Sequence, residues 1–472
     1  LLSWLPLNEL DGAASGNDCW GYVSTSGREY ALMGTSLSTV IVEVTNASNA
    51  QVVATIPGPQ STWRDIKVYQ HYAYAVSEGG QGIQVIDLGQ IDNGVATLVG
   101  TVTTGGTMST HNVAINETSG YLYRCGGGSN GLRIYSLANP AAPVHVATWS
   151  DKYVHDCQVV TYEDGPYKGR EIAFCCAGFN GGWVDTGLTI LDVTDKKNIF
   201  VVGTVEYPNG AYSHQGWLSA DRLLFYLNDE VDESTYDVST TTHVIDVSVL
   251  EKPVQVSTFT SGSTSVDHNL YVRDNLVFEA NYRSGLRVFD ASDPLAPVQI
   301  AYFDPFPGSD SPNYNGMWST YPFLPSGAIL CSDIERGLFV LYLGEPPLTF
   351  SYPDSLPALV APSGHVVHVS ISAAEGLSVA EGSAKMIVNI GEGQETVELV
   401  EIEAGLYEGV FPDLSCGEPL SYSFTATASN GISLSDPPVA VEATVAVAYE
   451  VKMVDPIEEI GGWIAGLPGD TA

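Results

Sequence analysis

Hydrophobic residues in this chain recur in short alternating runs rather than at helical spacing. A phrase of five to seven residues, often opened by Gly-Leu or Gly-Ile, returns seven times: TVIVEV around Glu43, GIQVIDL around Asp87, GLRIYSL around Ser136, GLTILDV around Asp192, HVIDV around Asp246, GLRVFDA around Asp290 and GLFVLYL around Tyr342. Successive phrases lie 44 to 56 residues apart. Alternation of this kind predicts a strand with two unlike faces. An aromatic-rich run precedes each phrase, as in YALMG from Tyr30, YAYAV from Tyr72 and LLFYL from Leu223. A further run, often led by proline, follows it, as in PVHVATW from Pro143 and PVQIAYF from Pro297. Each repeat therefore predicts a four-stranded antiparallel meander of about 50 residues, the size of a propeller blade. Stacking such units around an axis buries faces that separate hairpins would leave wet.

The expected fold is all-β: a seven-bladed β-propeller over residues 1–345, then an immunoglobulin-like β-sandwich over 346–448. The seventh repeat ends in Gly-Glu-Pro-Pro with no fourth strand, and LLSWLPL at residues 1–7 has the character of that missing strand, so the N-terminus is expected to close the ring. From Pro346 the phrases stop, and runs such as HVVHVSIS from His365 and LSYSFTATA from Leu420 predict the sandwich. Residues 449–472 read as a linker or the opening of a further, incomplete module.

Composition narrows the function classes. The 472 residues carry 18 Lys and Arg against 55 Asp and Glu, a net charge of −37, yet 44% are hydrophobic. A chain this apolar can bury a core and is not disordered. A surface this acidic repels nucleic acid and attracts cations. No apolar run is long enough to span a membrane, and the opening Leu-Leu-Ser-Trp lacks the parts of a signal peptide, so any leader is expected to be gone already. The seven cysteines (19, 125, 157, 175, 176, 331 and 416) form no C-x-x-C pair. One or two disulfides fit an oxidising compartment, with Cys19–Cys331 as a candidate clasp between first and last blades; Cys175 and Cys176 should point to opposite faces of a strand.

The column that could carry chemistry lies at the start of each first strand: Trp20-Gly21, Arg64-Asp65, His111-Asn112, His155-Asp156, His214-Gln215, His268-Asn269 and Asn315-Gly316. First strands line a propeller's channel, so His111, His155, His214 and His268 should converge near one mouth. Second strands end at the same face and bring Glu78, Asn228, Asp229, Glu230, Glu279, Asn281, Asp333 and Glu335, with Arg64, Arg283 and Arg336 as the few cations nearby. The candidate metal ligands are the four histidines with Asp65, Asp156, Asp267, Glu78, Asp229, Glu279 and Asp333. Two readings compete. Each imidazole can cross-link neighbouring blades through hydrogen bonds, or several can hold a divalent metal: Zn or Cu where imidazole dominates, Ca where carboxylates do. The acidic loop NDEVDEST at 228–235 has the composition of a cation loop without EF-hand spacing. GGGSNG at 126–131 lies between strands and does not predict a phosphate loop, and no nucleophile motif is present.

The phrases GLTILDVTD, GLRVFDASDP and GIQVIDL resemble LVIVD repeats. With DCWGYVSTSGREYALMGT, STWRDIKVYQHYAYAVSEGG, HNVAINETSGYLY, SHQGWL, DHNLYV and SDIERGLFVL in that order, residues 1–345 are similar to the choice-of-anchor B family. The resemblance implies an exported bacterial protein displayed at the cell surface or secreted, and it implies no reaction. The leading expectation is a non-enzymatic binding or structural protein whose partner is an extracellular ligand or a neighbouring surface protein. The alternatives are a metal-dependent, oxidoreductase-like enzyme and a subunit that self-assembles through its C-terminal region. The enzyme reading draws on a fold-level analogy with the selenium-binding protein/methanethiol oxidase propeller, where copper lies among channel histidines.

Overall fold

The computed structural model describes residues 1–128, 131–177, 186–391 and 393–446. The GGGSNG turn therefore lies partly, and the C-terminal module from 449 wholly, outside the described residues. The chain is all-β. Its described residues divide into two units, one of 1–349 with 373–380 and 426–435, the other of 350–372, 381–425 and 436–446.

The first unit is built from four-stranded antiparallel sheets, each made of strands consecutive in sequence. Sheet 1 comprises Gly16–Val23, Glu29–Thr35, Ser38–Glu43 and Gln51–Pro57. Five more follow the same plan, with first strands at Arg64–Tyr69, Asn112–Asn116, Asp156–Thr161, Ser213–Leu218 and Asn269–Arg273. Sheet 7 has only three consecutive strands, Met317–Tyr321, Ala328–Asp333 and Gly337–Tyr342. Its fourth strand is Ser3–Leu5, paired antiparallel with Ser3 opposite Val340 and Leu5 opposite Leu338, so the N-terminus stands where the chain pattern places it. Each first strand packs against the first strand of the next sheet, and Met317–Tyr321 packs against Gly16–Val23. The arrangement is propeller-like.

The recurring phrase now has a physical explanation. It forms the third strand, and its opening glycine has positive φ at Gly82, Gly131, Gly187, Gly285 and Gly337. A Cβ at Gly285 would run into the carbonyl oxygen of Phe303 in the fourth strand; at Gly337 it would meet that of Leu5 in the N-terminal strand. The glycine thus lets the outer strand approach its neighbour, and only glycine adopts this backbone without strain. A register shift falls at the same place in six of these phrases, between Ile41 and Val42, Val85 and Ile86, Ile134 and Tyr135, Ile190 and Leu191, Val244 and Ile245, and Val288 and Phe289. Such bulges bend and twist the outer strand, which also blunts an exposed edge.

Apolar residues bury themselves between sheets. Phe174, Cys176 and Ile190 of sheet 4 meet Phe225, Leu227 and Ile245 of sheet 5 in one cluster, with Phe174 stacked on Phe225 at 5.4 Å. Cys175, one residue from Cys176, faces sheet 3 with Cys125 and Cys157, so the vicinal thiols do point to opposite faces. The other described sheet pairs share comparable clusters. Sheets 1 and 7 are tied by Trp20 against Tyr321 at 4.8 Å and by Ser326 N and Oγ donating to Glu29. The expected disulfides do not form: all seven cysteines are free, and Cys19 and Cys331 are buried thiols. Burial and apolar packing account for them without a covalent clasp.

The second unit draws on two sheets. One has Leu348–Ser351, Val366–Ala373, Leu406–Val410 and Val400–Glu403 side by side; the other has Leu359–Val360, Ser433–Val445, Pro419–Thr427, Lys385–Ile390 and Gly393–Glu398. Alternate residues such as Val367, Val369, Met386, Val388, Tyr422 and Phe424 are buried.

Candidate functional site

The four histidines of the first-strand column form a continuous arc. Ring centroids are separated by 4.5 Å from His111 to His155, 4.4 Å from His155 to His214 and 4.2 Å from His214 to His268. Residues one to four places further along each strand also cross-link neighbouring sheets, beside the bonds that the imidazoles themselves make. Val113 N donates to Asp65 Oδ2 at 2.6 Å, Leu218 N to Gln158 Oε1 at 2.8 Å and Leu270 N to Gln215 Oε1 at 2.9 Å, each from one sheet to another. Asn112 Nδ2 donates to His155 O at 3.2 Å.

Each histidine makes at most one such bond. His111 Nδ1 donates to Glu78 Oε1 at 2.7 Å, and His268 Nδ1 donates to the Trp318 carbonyl at 2.6 Å. With the proton of the neutral His268 ring on Nδ1, its Nε2 carries a lone pair, the tautomer that a carbonyl partner imposes on metal-binding imidazoles. His155 Nδ1 shares a hydrogen bond of 2.7 Å with Tyr212 Oη, while its Nε2 has no hydrogen-bond partner; His214 Nδ1 has none either. Both nitrogens are buried.

Glu230 completes the group. Its Oε2 lies 3.7 Å from His214 Nε2, its Oε1 lies 3.7 Å from His268 Nε2, and Tyr282 Oη donates to Oε1 at 2.7 Å. One ligand atom from each of His155, His214 and Glu230 falls within 4.8 Å of the others. Burial pushes His155 and His214 well below the ordinary histidine range, reinforced by neighbouring imidazoles, and takes His268 down to about 3. The rings are therefore neutral near pH 7, the state that binds metal. Burial raises Glu230 to about 7.

A cavity of about 440 Å³ adjoins this arc, with Glu230, Trp63, Tyr282, Tyr314 and Trp318 in its lining. Trp63 stands 6.3 Å from His111 at one end of the arc; Tyr282 and Trp318 stand 4.6 and 4.8 Å from His268 at the other.

The remaining sequence candidates are placed elsewhere. Asp229 accepts from Tyr207 Oη, Ala211 N and Tyr212 N. Glu279 accepts from Thr242 and Asn281, and Asp333 caps the turn at Glu335 and Arg336. Asp156 accepts from its neighbour Cys157 N, and Asp65 pairs with Lys67 at 2.5 Å. Asp267 is fully buried with neither carboxylate oxygen partnered. Of the cations, Arg64 bonds to Thr35 O, Pro59 O and Gln84, and Arg283 to Ser311 and Asn315, so neither neutralises the arc. Glu230 stood among the second-strand acids but not among the expected ligands. Its signal was its place just past the strand Leu224–Asp229, where the chain turns into the helix Asp232–Tyr236.

No helix among the described residues is long and apolar enough to cross a membrane. No family model matches the sequence, and no curated protein does. Among solved structures, the chain is similar to the β-propeller domain of Myceliophteria thermophila Cps50 (Swd1), with 9% identity over 70% of this chain and 98% of that one and a TM-score of 0.48. It is similar to a Lactobacillus plantarum protein at 12% identity over 77% and 93%, TM-score 0.47, and to a functionally unknown protein from Desulfotomaculum acetoxidans at 13% over 70% and 90%, TM-score 0.44.

Proposed function

We propose that the chain is a metal-binding protein, with a divalent transition metal held by His155, His214 and Glu230 and a small ligand received in the adjoining cavity. The observation that carries this reading is that one ligand atom from each of His155, His214 and Glu230 lies within 4.8 Å of the others, His155 Nε2 being buried without a partner. A two-histidine, one-carboxylate set suits Zn²⁺ and also Cu²⁺ or Fe²⁺. His268, its tautomer fixed by Trp318, offers a fourth nitrogen.

In the same proposal the repeating sheets are the blades of one seven-bladed β-propeller closed by the N-terminal strand, and the second unit is an immunoglobulin-like sandwich. The resemblance to choice-of-anchor B proteins and the acidic composition support an exported, surface-associated setting.

A second reading, metal-dependent catalysis, is favoured by one feature: the aromatic cavity opens at Glu230, so three protein ligands would leave a metal position for substrate or water. The decisive experiment is elemental analysis and Zn²⁺ titration of the wild type, His155→Ala, His214→Ala and Glu230→Gln. One metal per chain in the wild type, with affinity reduced at least about 100-fold in each histidine variant, is expected. No bound metal in native protein together with no saturable titration overturns the reading.

A further inference from the structure

We propose that a second cavity, lined by the first strands of the first unit, binds a neutral sugar ring. The cavity measures about 210 Å³ and takes its walls from the first strands of sheets 1 to 6. It shares no lining residue with the cavity beside Glu230, so this inference stands apart from the metal reading.

Four polar groups in its wall are held in place yet unpartnered. Gln158 Oε1 accepts from Leu218 N and Gln215 Oε1 from Leu270 N, which anchors each amide at one end and leaves both Nε2 groups without an acceptor. Asp156 Oδ1 accepts from Cys157 N, and its Oδ2 takes no donor. The Tyr271 hydroxyl makes no hydrogen bond, although Tyr271 and Gln215 are each only 2% exposed. These atoms are not sealed inside protein, and the cavity is the space they face. Buried polar groups of this kind are ordinarily paired.

The set selects a ligand by elimination. An anion would meet Asp156, and Lys67 is already matched by Asp18 and Asp65. A cation would leave both amide N–H groups without acceptors and would approach the Lys67 ammonium. A hydroxyl both donates and accepts, so a ring bearing several of them can take N–H from the glutamines and give O–H to Asp156. The Tyr271 ring lies 4.9 Å from Trp217 and 5.8 Å from Trp20, an aromatic wall for the apolar C–H face of a pyranose. A volume below that of drug-sized pockets limits the ligand to about one ring.

The test is ligand-observed NMR titration of the full chain with D-glucose, D-galactose and D-mannose, with D-glucuronate and choline as charged comparators. We expect saturable binding of at least one neutral hexose with Kd of about 1 mM or below. Gln158→Glu keeps the acceptor for Leu218 N but replaces the free donor, and should weaken binding at least about tenfold; Tyr271→Phe removes only the free hydroxyl and should weaken it at least about twofold. Trp63→Ala, in the other cavity, should leave binding unchanged. Should Gln158→Glu fail to fold, the wild-type titration and Tyr271→Phe decide. No saturable binding of any neutral hexose, binding of a charged comparator alone, or unchanged binding in either cavity variant overturns the proposal. So does loss of binding in Trp63→Ala, which would place the sugar beside the imidazole arc.

Discussion

Two buried polar groups sit on the first strands of neighbouring sheets and solve the same problem differently. Lys67 lies in one, with its ammonium 2.5 Å from Asp65, 3.1 Å from Asp18 and 4.5 Å from the centre of the Trp20 ring. Burial opposes its charge, but Asp18 and Asp65 outweigh burial and raise it well above the ordinary lysine range. The imidazole arc has no such cation. Burial keeps His155, His214 and His268 neutral, two nitrogens of the arc are unpartnered, and its carboxylate is supported by a tyrosine hydroxyl. The Lys67 group supplies its own counter-charge and leaves Asp18 Oδ1 without a partner. The arc supplies no counter-charge of this kind, and the metal proposed above would take that place.

The largest effect should come from breaking the self-contained group. Lys67→Met removes the cation and leaves Asp18 and Asp65 buried with uncompensated charge, so urea denaturation should show a loss of about 3–5 kcal/mol. A loss below about 1 kcal/mol would mean that water reaches the group and the contrast with the arc is false.

His155→Ala and His214→Ala should instead cost the metal-free protein only about 1–2 kcal/mol, since each removes one ring and no charge. The metal-loaded protein should lose considerably more, because its binding free energy disappears as well. Equal losses with and without metal would make the imidazoles structural cross-links after all.

How far each group could be read from the chain follows from the same physics. The third-strand phrase was legible because its glycine answers a local demand, positive φ beneath a neighbouring carbonyl, that recurs in repeat after repeat. The histidine column was legible because strand position fixes which end of the sheet a residue occupies. Glu230 was legible as an acid at that mouth but not as the partner of the rings, since it reaches them from a turn beyond its strand, and alternation says nothing of how a turn is aimed. Lys67 could be seen as a polar residue in the strand Arg64–Tyr69, but its partner Asp18 lies 49 positions away on another sheet. The Cys19–Cys331 expectation failed for a related reason: neighbouring sheets bring thiols into one region without giving them bonding geometry.

pH offers a finer test of the Lys67 group. Burial raises Asp18 from 3.8 to about 7 against the pull of Lys67. A carboxyl raised on folding favours the folded state when protonated, so its contribution is present below about pH 4 and is lost as pH rises through 7. Asp18→Asn keeps the neutral form at every pH. Relative to the wild type it should therefore gain stability between pH 5 and pH 8, by more than about 1 kcal/mol in denaturation curves. A constant difference across that range would show that Asp18 stays ionised beside Lys67.

The smallest effect is expected at the end of the arc. His111 is held by Glu78, and that bond lowers the Glu78 carboxyl, so the pair is largely satisfied without a metal. It lies next to His155 yet outside the group of three whose ligand atoms converge. His111→Ala should accordingly leave one metal per chain and shift Kd by no more than about tenfold, the range for a group acting from outside the ligand set. Zn²⁺ titration measures this directly. A loss of metal as complete as in His155→Ala would mean that the arc binds as a whole, with His111 Nε2 a ligand, and that the boundary drawn at His155, His214 and Glu230 is too narrow.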